Sequence, residues 1–341
     1  MPLDRRSFLT ALPGALLASR AAPGGGIVDA AGRNVPIPPK VTRVLPAAQP
    51  AAILLYTLAP ELLLGWPDAN RPDACEFMLP EVCRRPELGT IIGRGDAANI
   101  ESVRSLKPDL ILDVGSTSAA SVSLANRVQQ QTGIPYALLD GHFLFLAKTY
   151  QLIGALIGRI AAGEDFADHV TMTLAVITNR IAAVSAEQRP TVYYASGPRG
   201  LVTGLGGSIN LETIELIARN VAGGTNGELT TVSIEQVRRW NPDVIITVDR
   251  EFAAAVRGDP SWAAVKAVRE KRVHLTPKLP FGLVDVPPAA NRLIGLWWLS
   301  KILYPERFKE DLRELTRDFY AKFYHVTPND AQIARILAAR D

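Results

Sequence analysis

Two carboxylates, Glu101 and Glu235, occupy the same place in a stretch that the chain contains twice. The copies, NIESVRSLKPDLILDV (Asn99 to Val114) and SIEQVRRWNPDVIITV (Ser233 to Val248), align without a gap. They share Ile100/Ile234, Glu101/Glu235, Val103/Val237, Arg104/Arg238, Pro108/Pro242, Asp109/Asp243, Ile111/Ile245 and Val114/Val248. Each glutamate falls in the first turn of a short helix, where a carboxylate complements the positive end of the helix dipole. Asn99 or Ser233 is the N-cap, and Gln236 follows Ser233 at capping-box spacing.

A second set of residues could hold a ligand. The run from Arg199 to Asn210, RGLVTGLGGSIN, precedes a helix. Its glycines free backbone amides for a concave nest that suits an anionic group, with Thr203, Gly206 and Ser208 in it and Arg199 beside it. A glycine-rich hairpin loop without a ligand is the other reading of this run. It is not a dinucleotide fingerprint, because the spacing differs and no acidic residue follows in place. Tyr193 and Tyr194 end the strand before it, and the loop Lys278 to Pro288 offers Phe281 and Asp285. Gln49 and Arg94 hold matching post-strand positions in the first half of the chain. No nucleophile elbow, phosphate loop or His/Cys/carboxylate cluster with metal-ligand spacing is present, and the four histidines are dispersed. The expectation is therefore a binding protein without cofactor or bound metal, not an enzyme.

The elements that must position these residues alternate between strand and helix. Each repeat copy reads as a helix stopped at Pro-Asp and followed by a β-branched apolar run suited to a buried parallel strand. Further strands are expected at Arg43–Pro46, Leu62–Trp66, Thr90–Gly93, Ile134–Leu139, Thr191–Tyr194 and Arg272–Leu275, with a hairpin over Gly26–Val35 and a helix over Ala51–Leu58. Between Phe143 and Gln188 the pattern turns to long helix, interrupted at Ala161–Gly163 and periodic from Phe166 to Ile181. The expected fold class is α/β: two similar Rossmann-like lobes joined by a single long connecting helix within about Glu164 to Glu187, with the ligand cleft between them. The domain limits are 1–26 for an export signal and flexible joint, 27–142 for the first lobe and 143–188 for the connector. The second lobe takes 189–304 and C-terminal helices 305–341. A helical connector predicts little hinge motion.

Length and composition set the class. A chain of 341 residues, 48% hydrophobic and 21% charged, has ample material for two globular lobes. A net charge of +3 with scattered Lys and Arg argues against a nucleic-acid partner. At the N-terminus, Asp4 to Leu9 with its Arg5-Arg6 pair precedes a short apolar run, and Ser19-Arg20-Ala21 offers a cleavage site. That layout resembles a twin-arginine export signal, cleaved to release the protein outside the cytoplasm. No cysteine lies near the cleavage region, which argues against a lipid anchor. Cys75 and Cys83 then fall in an oxidising compartment, where a short-loop disulfide is the natural reading and two free thiols the alternative.

Two lobes joined by a helix, with N-I-E and S-I-E-Q helix starts before Pro-Asp-apolar strands, resemble the periplasmic binding proteins for ferric siderophores, haem and cobalamin that feed ABC importers. The resemblance covers roughly Ile27 to Tyr304. It implies a periplasmic, monomeric solute-binding protein that delivers a metal chelate to an ABC permease and its ATPase. The aromatic and cationic groups named above would then face each other across the cleft, as a bulky anionic chelate needs. Glu101 and Glu235 match the family positions that dock onto permease arginines. Some relatives bind a bare oxyanion such as molybdate or tungstate, which the glycine run would serve.

Overall fold

The computed structural model describes residues 26–90, 100–225 and 227–338. The chain opens with an antiparallel hairpin, β1 (Gly26–Val28) on β2 (Asn34–Pro36). Asp29 holds its turn by accepting hydrogen bonds from the amides of Ala31 and Arg33. The first sheet follows: β3 (Val44–Pro46), β4 (Leu110–Gly115) and β5 (Tyr136–Asp140), all parallel in the order β3-β4-β5. Helices α1 (Gln49–Leu58), α2 (Pro80–Cys83), α3 (Ile100–Leu106) and α4 (Ala119–Thr132) intervene along the chain.

Two helices, α5 (Leu146–Leu156) and the longer α6 (Ile160–Ala182), separate the first sheet from the second in the chain. The break between them lies at Ile157–Arg159, where Gly158 is left-handed at φ +70°, and not at Ala161–Gly163. Gly163 serves another purpose. The helices cross so closely there that a Cβ on it would lie 2.7 Å from the Tyr150 carbonyl oxygen. The second sheet joins β6 (Thr191–Ala195), β8 (Arg219–Asn220), β10 (Val244–Thr247) and β11 (Val273–Leu275), parallel in the order β11-β10-β6-β8. Beside it β7 (Val202–Gly204) and β9 (Leu229–Thr231) form an antiparallel ribbon. Helices α7 (Glu212–Ile217), α8 (Ile234–Trp240), α9 (Arg250–Ala255) and α10 (Lys266–Arg269) belong to this half, and α11 (Asn291–Leu303), α12 (Leu312–Phe319) and α13 (Asp330–Leu337) end the chain. Two parallel sheets with helices between their strands are the two α/β lobes that the repeat predicts.

The expected strand at Leu62–Trp66 is not a ladder. It pairs at single bridges with two different partners, Val44 to Leu63 and Trp66 to Glu87, too few on either side to make a strand. Most of the expected strand Thr90–Gly93 lies outside the described residues, as do the export signal and Asn99.

The repeat builds the same local device in each lobe. Lys107 and Asn241 end α3 and α8 in the left-handed region, at φ +48° and +44°. The aspartate that follows turns back to clamp the start of the neighbouring strand. Asp109 accepts from the amide and hydroxyl of Thr42, at 2.7 and 2.9 Å. Asp243 accepts from the amide and hydroxyl of Thr191, at 2.8 and 2.7 Å, and takes Lys266 at 2.6 Å as well.

The lobes are sutured by polar contacts, some buried and some at the surface. Arg292, 1% exposed, pairs with Glu212 at 2.7 Å and donates to the carbonyls of Gly141 (3.0 Å) and Ile209 (3.2 Å), its guanidinium lying over the Phe143 ring. The segment after α11 returns to the first lobe. The Tyr56 hydroxyl donates to the Tyr324 carbonyl at 2.6 Å and Arg335 pairs with Glu76, while Lys322 ties the same segment to Asp165 on α6.

The Asp243 clamp yields a test. Burial alone would raise its carboxyl, but the bonds from Lys266 and Thr191 outweigh it and hold it down from 3.8 to about 2. A depressed folded pKa stabilises above the unfolded value and is lost as pH falls through the folded one. Asp243→Asn should therefore cost about 2 kcal/mol at pH 7. In thermal or urea melts that gap should shrink as pH is lowered from about 4 toward 2; a constant gap across that range would refute the clamp.

Candidate functional site

A cleft of about 410 Å³ opens between the lobes at the carboxyl edges of both sheets. From the first lobe come Gln49, three residues past the end of β3, and the segment Asp68 to Arg71 with Ala74. From the second come Val248, directly after β10, and the loop after β11 that carries Lys278, Phe281 and Asp285. Parallel sheets place ligands at this edge because loops leaving the strands there are free to vary while the strands stay packed.

The floor is polar and incompletely bonded. Asp285 is 1% exposed; its Oδ2 accepts from the Tyr194 hydroxyl, and its Oδ1 has no partner among the described residues. Burial pushes its carboxyl up, against the hydrogen bond from Tyr194, the neighbouring Val286 amide and the charge of Lys278. Gln49 Oε1 is likewise buried without a partner among those residues. Phe281 supplies an apolar wall, its ring 6.1 Å from Trp66 and 5.9 Å from Tyr324. At the mouth Asp68, Arg71 and Lys278 are exposed.

The loop is held from below by α11 and α7. Asn291 Nδ2 donates to the carbonyls of Gly282 and Pro287, the latter at 2.9 Å, and Thr213 Oγ1 donates to the Val284 carbonyl at 3.1 Å. Gly295 on α11 lets the loop pass, since a Cβ there would overlap the Leu283 carbonyl oxygen. Cys75 and Cys83 are joined by a disulfide directly after the first-lobe lining segment.

Of the residues singled out in the sequence, Gln49, Phe281 and Asp285 meet in the cleft, and Tyr194 stands one layer behind through Asp285. Tyr193 does not join them. Successive strand residues face opposite ways, so its ring lies near Trp240 and Trp262 and its hydroxyl donates to the Gly200 carbonyl. Arg199 is exposed in a turn and is not part of the cleft lining. The glycine run is no anion nest. Gly206 donates its amide to the Gly223 carbonyl, Gly207 to the Glu215 carboxylate and Ser208 to the Leu205 carbonyl, while Leu205 itself bonds Glu228. Thr203 is buried on β7. Arg94 lies outside the described residues. No motif or spacing in the sequence marks Asp68, Asn70, Arg71 or Lys278 as cleft residues.

Glu101 and Glu235 are exposed in the first turns of α3 and α8. A helix that runs back along the strand it precedes begins at that strand's carboxyl edge. Both glutamates therefore stand on the cleft side, one on each lobe. The backbone amide of Glu235 and the Ser233 hydroxyl hold the Glu235 carboxyl below its usual range.

Because Gly295 touches the floor loop, Gly295→Ala should cost about 1–3 kcal/mol through overpacking. Ligand affinity should fall with it in calorimetry, whereas an unchanged Tm would mean that the loop is not seated on α11.

Residues 80–279 match the model of the periplasmic binding protein family. The chain is 29% identical to the molybdate-binding protein MolA of Haemophilus influenzae over 272 residues, 73% of this chain and 77% of that protein. The structure of MolA bound to molybdate superposes with a TM-score of 0.72 at 25% identity, covering 89% of this chain and 99% of that one. An ABC transporter solute-binding protein from Sulfurospirillum deleyianum gives 0.83 at 24% identity over 91% and 98% of the two chains. A Helicobacter pylori CeuE structure with a nickel–histidine complex gives 0.66 at 15% identity over 92% and 98%. The family match spans more than half of the chain, on two parallel-sheet lobes around one cleft, and the chain belongs to the periplasmic binding protein family.

Proposed function

We propose that this chain is the extracytoplasmic substrate-binding subunit of an ABC importer and that its cargo is a metal chelate held between the lobes. The observation that carries the cargo reading is the cleft itself. Its volume of about 410 Å³ falls in the roughly 300–1,000 Å³ range of sites for drug-sized molecules, well beyond what a five-atom ion fills. An aromatic wall and cationic side chains at the mouth suit an organic ligand with exposed oxygens. No helix of the described residues is long and apolar enough to cross a membrane, in keeping with a subunit that meets its permease from outside.

The second reading is a molybdate-type oxyanion, favoured by the similarity to MolA. The glycine run gives it no support, because its amides are already bonded. Visible spectroscopy and metal analysis of protein purified from its own host separate the two readings. A chelate absorbs in the visible and carries one equivalent of iron, cobalt or nickel, whereas molybdenum without a visible band would favour the oxyanion.

Glu101 and Glu235 are the proposed docking points for permease arginines, standing on separate lobes on the cleft side. Glu101→Gln and Glu235→Gln should leave ligand affinity unchanged and each lower the uptake rate. The double variant should lower it by about tenfold or more, equivalent to ~1.4 kcal/mol of docking energy, and charge reversal to Lys should be harsher. Equal losses in affinity and uptake would place the glutamates in the cleft instead, and unchanged uptake would leave them as helix caps.

A further inference from the structure

We infer that the cargo presents hydrogen-bond donors, such as N–H, ammonium or metal-coordinated water, to the cleft floor while its oxygens face the cationic mouth, so that a bare oxyanion is refused. The inference rests on the reading of this cleft as the cargo site. Two acceptor atoms at the floor lack donors among the described residues, Asp285 Oδ1 and Gln49 Oε1, and both are buried. A carboxylate that is 1% exposed, with Tyr194 on one oxygen and only neighbouring backbone amides, Val286 first, near the other outside normal hydrogen-bond geometry, is costly to maintain. Buried polar atoms without partners are few in native proteins, and those at a site mark where a ligand group completes the bond.

No side chain nearby fills that role. The charged and titratable groups facing Asp285 are Tyr194 from β6, Lys278 from its own loop and Arg292 from α11. Asp68 and Arg71 stand across the cleft. Tyr194 is already spent on Oδ2. The terminal nitrogens of Arg292 serve Glu212, Gly141 and Ile209, and its buried Nε bonds neither floor acceptor. Arg71 leans on Asp73 at 3.4 Å and donates to the Lys278 carbonyl at 3.5 Å, and so remains at the mouth. The cleft is thus polarised, with two orphan acceptors at the bottom and two cations, Arg71 and Lys278, beside one carboxylate, Asp68, at the top. A tetrahedral oxyanion offers oxygens in every direction and would set lone pairs against Asp285 and Gln49. A chelate with amine, amide or imidazole N–H groups on one side and carboxylate or hydroxamate oxygens on the other matches both ends.

Asp285→Asn inverts the floor at constant volume, because the amide oxygen can still accept from Tyr194 while an NH₂ donor replaces Oδ1. The test is calorimetric titration of wild type and variant, each shown to be folded by its thermal melt. The probes are the nickel(II)–histidine complex, a ferric trihydroxamate with a free ammonium group, and molybdate. At least one chelate should bind wild type, and Asp285→Asn should weaken it tenfold or more, with Gln49→Leu weakening it in the same direction. If Asp285→Asn fails to fold, Gln49→Leu alone decides by the same criterion. Chelate affinity that is unchanged or improved in the variant overturns the inference. So does molybdate binding wild type more tightly than either chelate, although the cleft then remains the cargo site. Binding of no probe overturns both the inference and the cargo reading.

Discussion

The buried guanidinium of Arg292 constrains the cleft. Burial pushes its pKa down while Glu212 opposes the shift, and such a charge survives inside a protein only where nearly all its hydrogen-bonding directions are used. Arg292 meets most of that demand by drawing three separate segments together through its terminal nitrogens, while its Nε is buried without a partner among the described residues. It takes the Gly141 carbonyl from the loop after β5, the Ile209 carbonyl from the end of the glycine run and the Glu212 carboxylate from the start of α7. Glu212 in turn accepts the amide of Phe143, whose ring lies beneath the guanidinium. One ion pair therefore fixes the end of the first lobe's sheet against two elements of the second. Its value lies in geometry more than in net stability, since a buried pair is often no better than packed hydrocarbon, whereas stripping one partner costs about 3–5 kcal/mol.

The neighbouring residue turns that frame into a binding site. Asn291 starts α11 and clasps the loop from Gly282 to Pro287, so the floor carboxylate of Asp285 is located by the same helix end that anchors the lobes. The wall is tied to the same frame from another direction. The Tyr320 hydroxyl donates to the Leu279 carbonyl, and the Tyr324 ring packs on Phe281. Lobe contact, loop seating and cleft shape are in this sense one arrangement.

What could be read from the chain was local. The repeat announced itself because Pro-Asp after a short helix has one structural outcome, and Asp109 and Asp243 do perform the same clamp in both lobes. Gln49, Phe281 and Asp285 were accessible to the rule that parallel sheets bind at their carboxyl edges. The failures came where distant segments decide. Nothing between Arg199 and Asn210 reveals that Gly223, Glu215 and Glu228 take up its amides. Gly163 resembles a helix break until the crossing with α5 explains it. The return of the last helices to the first lobe through Arg335 with Glu76, and to α6 through Lys322 with Asp165, depends on exposed charges that carry no pattern in sequence. Tyr193 is different, because strand alternation alone forbids it from sharing a face with Tyr194.

Lobes joined by a buried ion pair, by crossing helices and by a returning C-terminal segment resist large closure, since each suture would have to break for the cleft to change width. Such a frame holds the starts of α3 and α8 at a fixed spacing, and with them Glu101 and Glu235. A partner that engages both carboxylates would then meet the same pair of charges whether or not cargo is present. If the cleft is the cargo site, discrimination between loaded and empty protein would then fall to the mouth, where Arg71, Lys278 and Asp68 are exposed. A chelate whose oxygens neutralise Arg71 and Lys278 changes the charge of that surface without moving the lobes. Under the proposed reading, rigid sutures and a polarised cleft would make the signal of occupancy electrostatic before it is conformational.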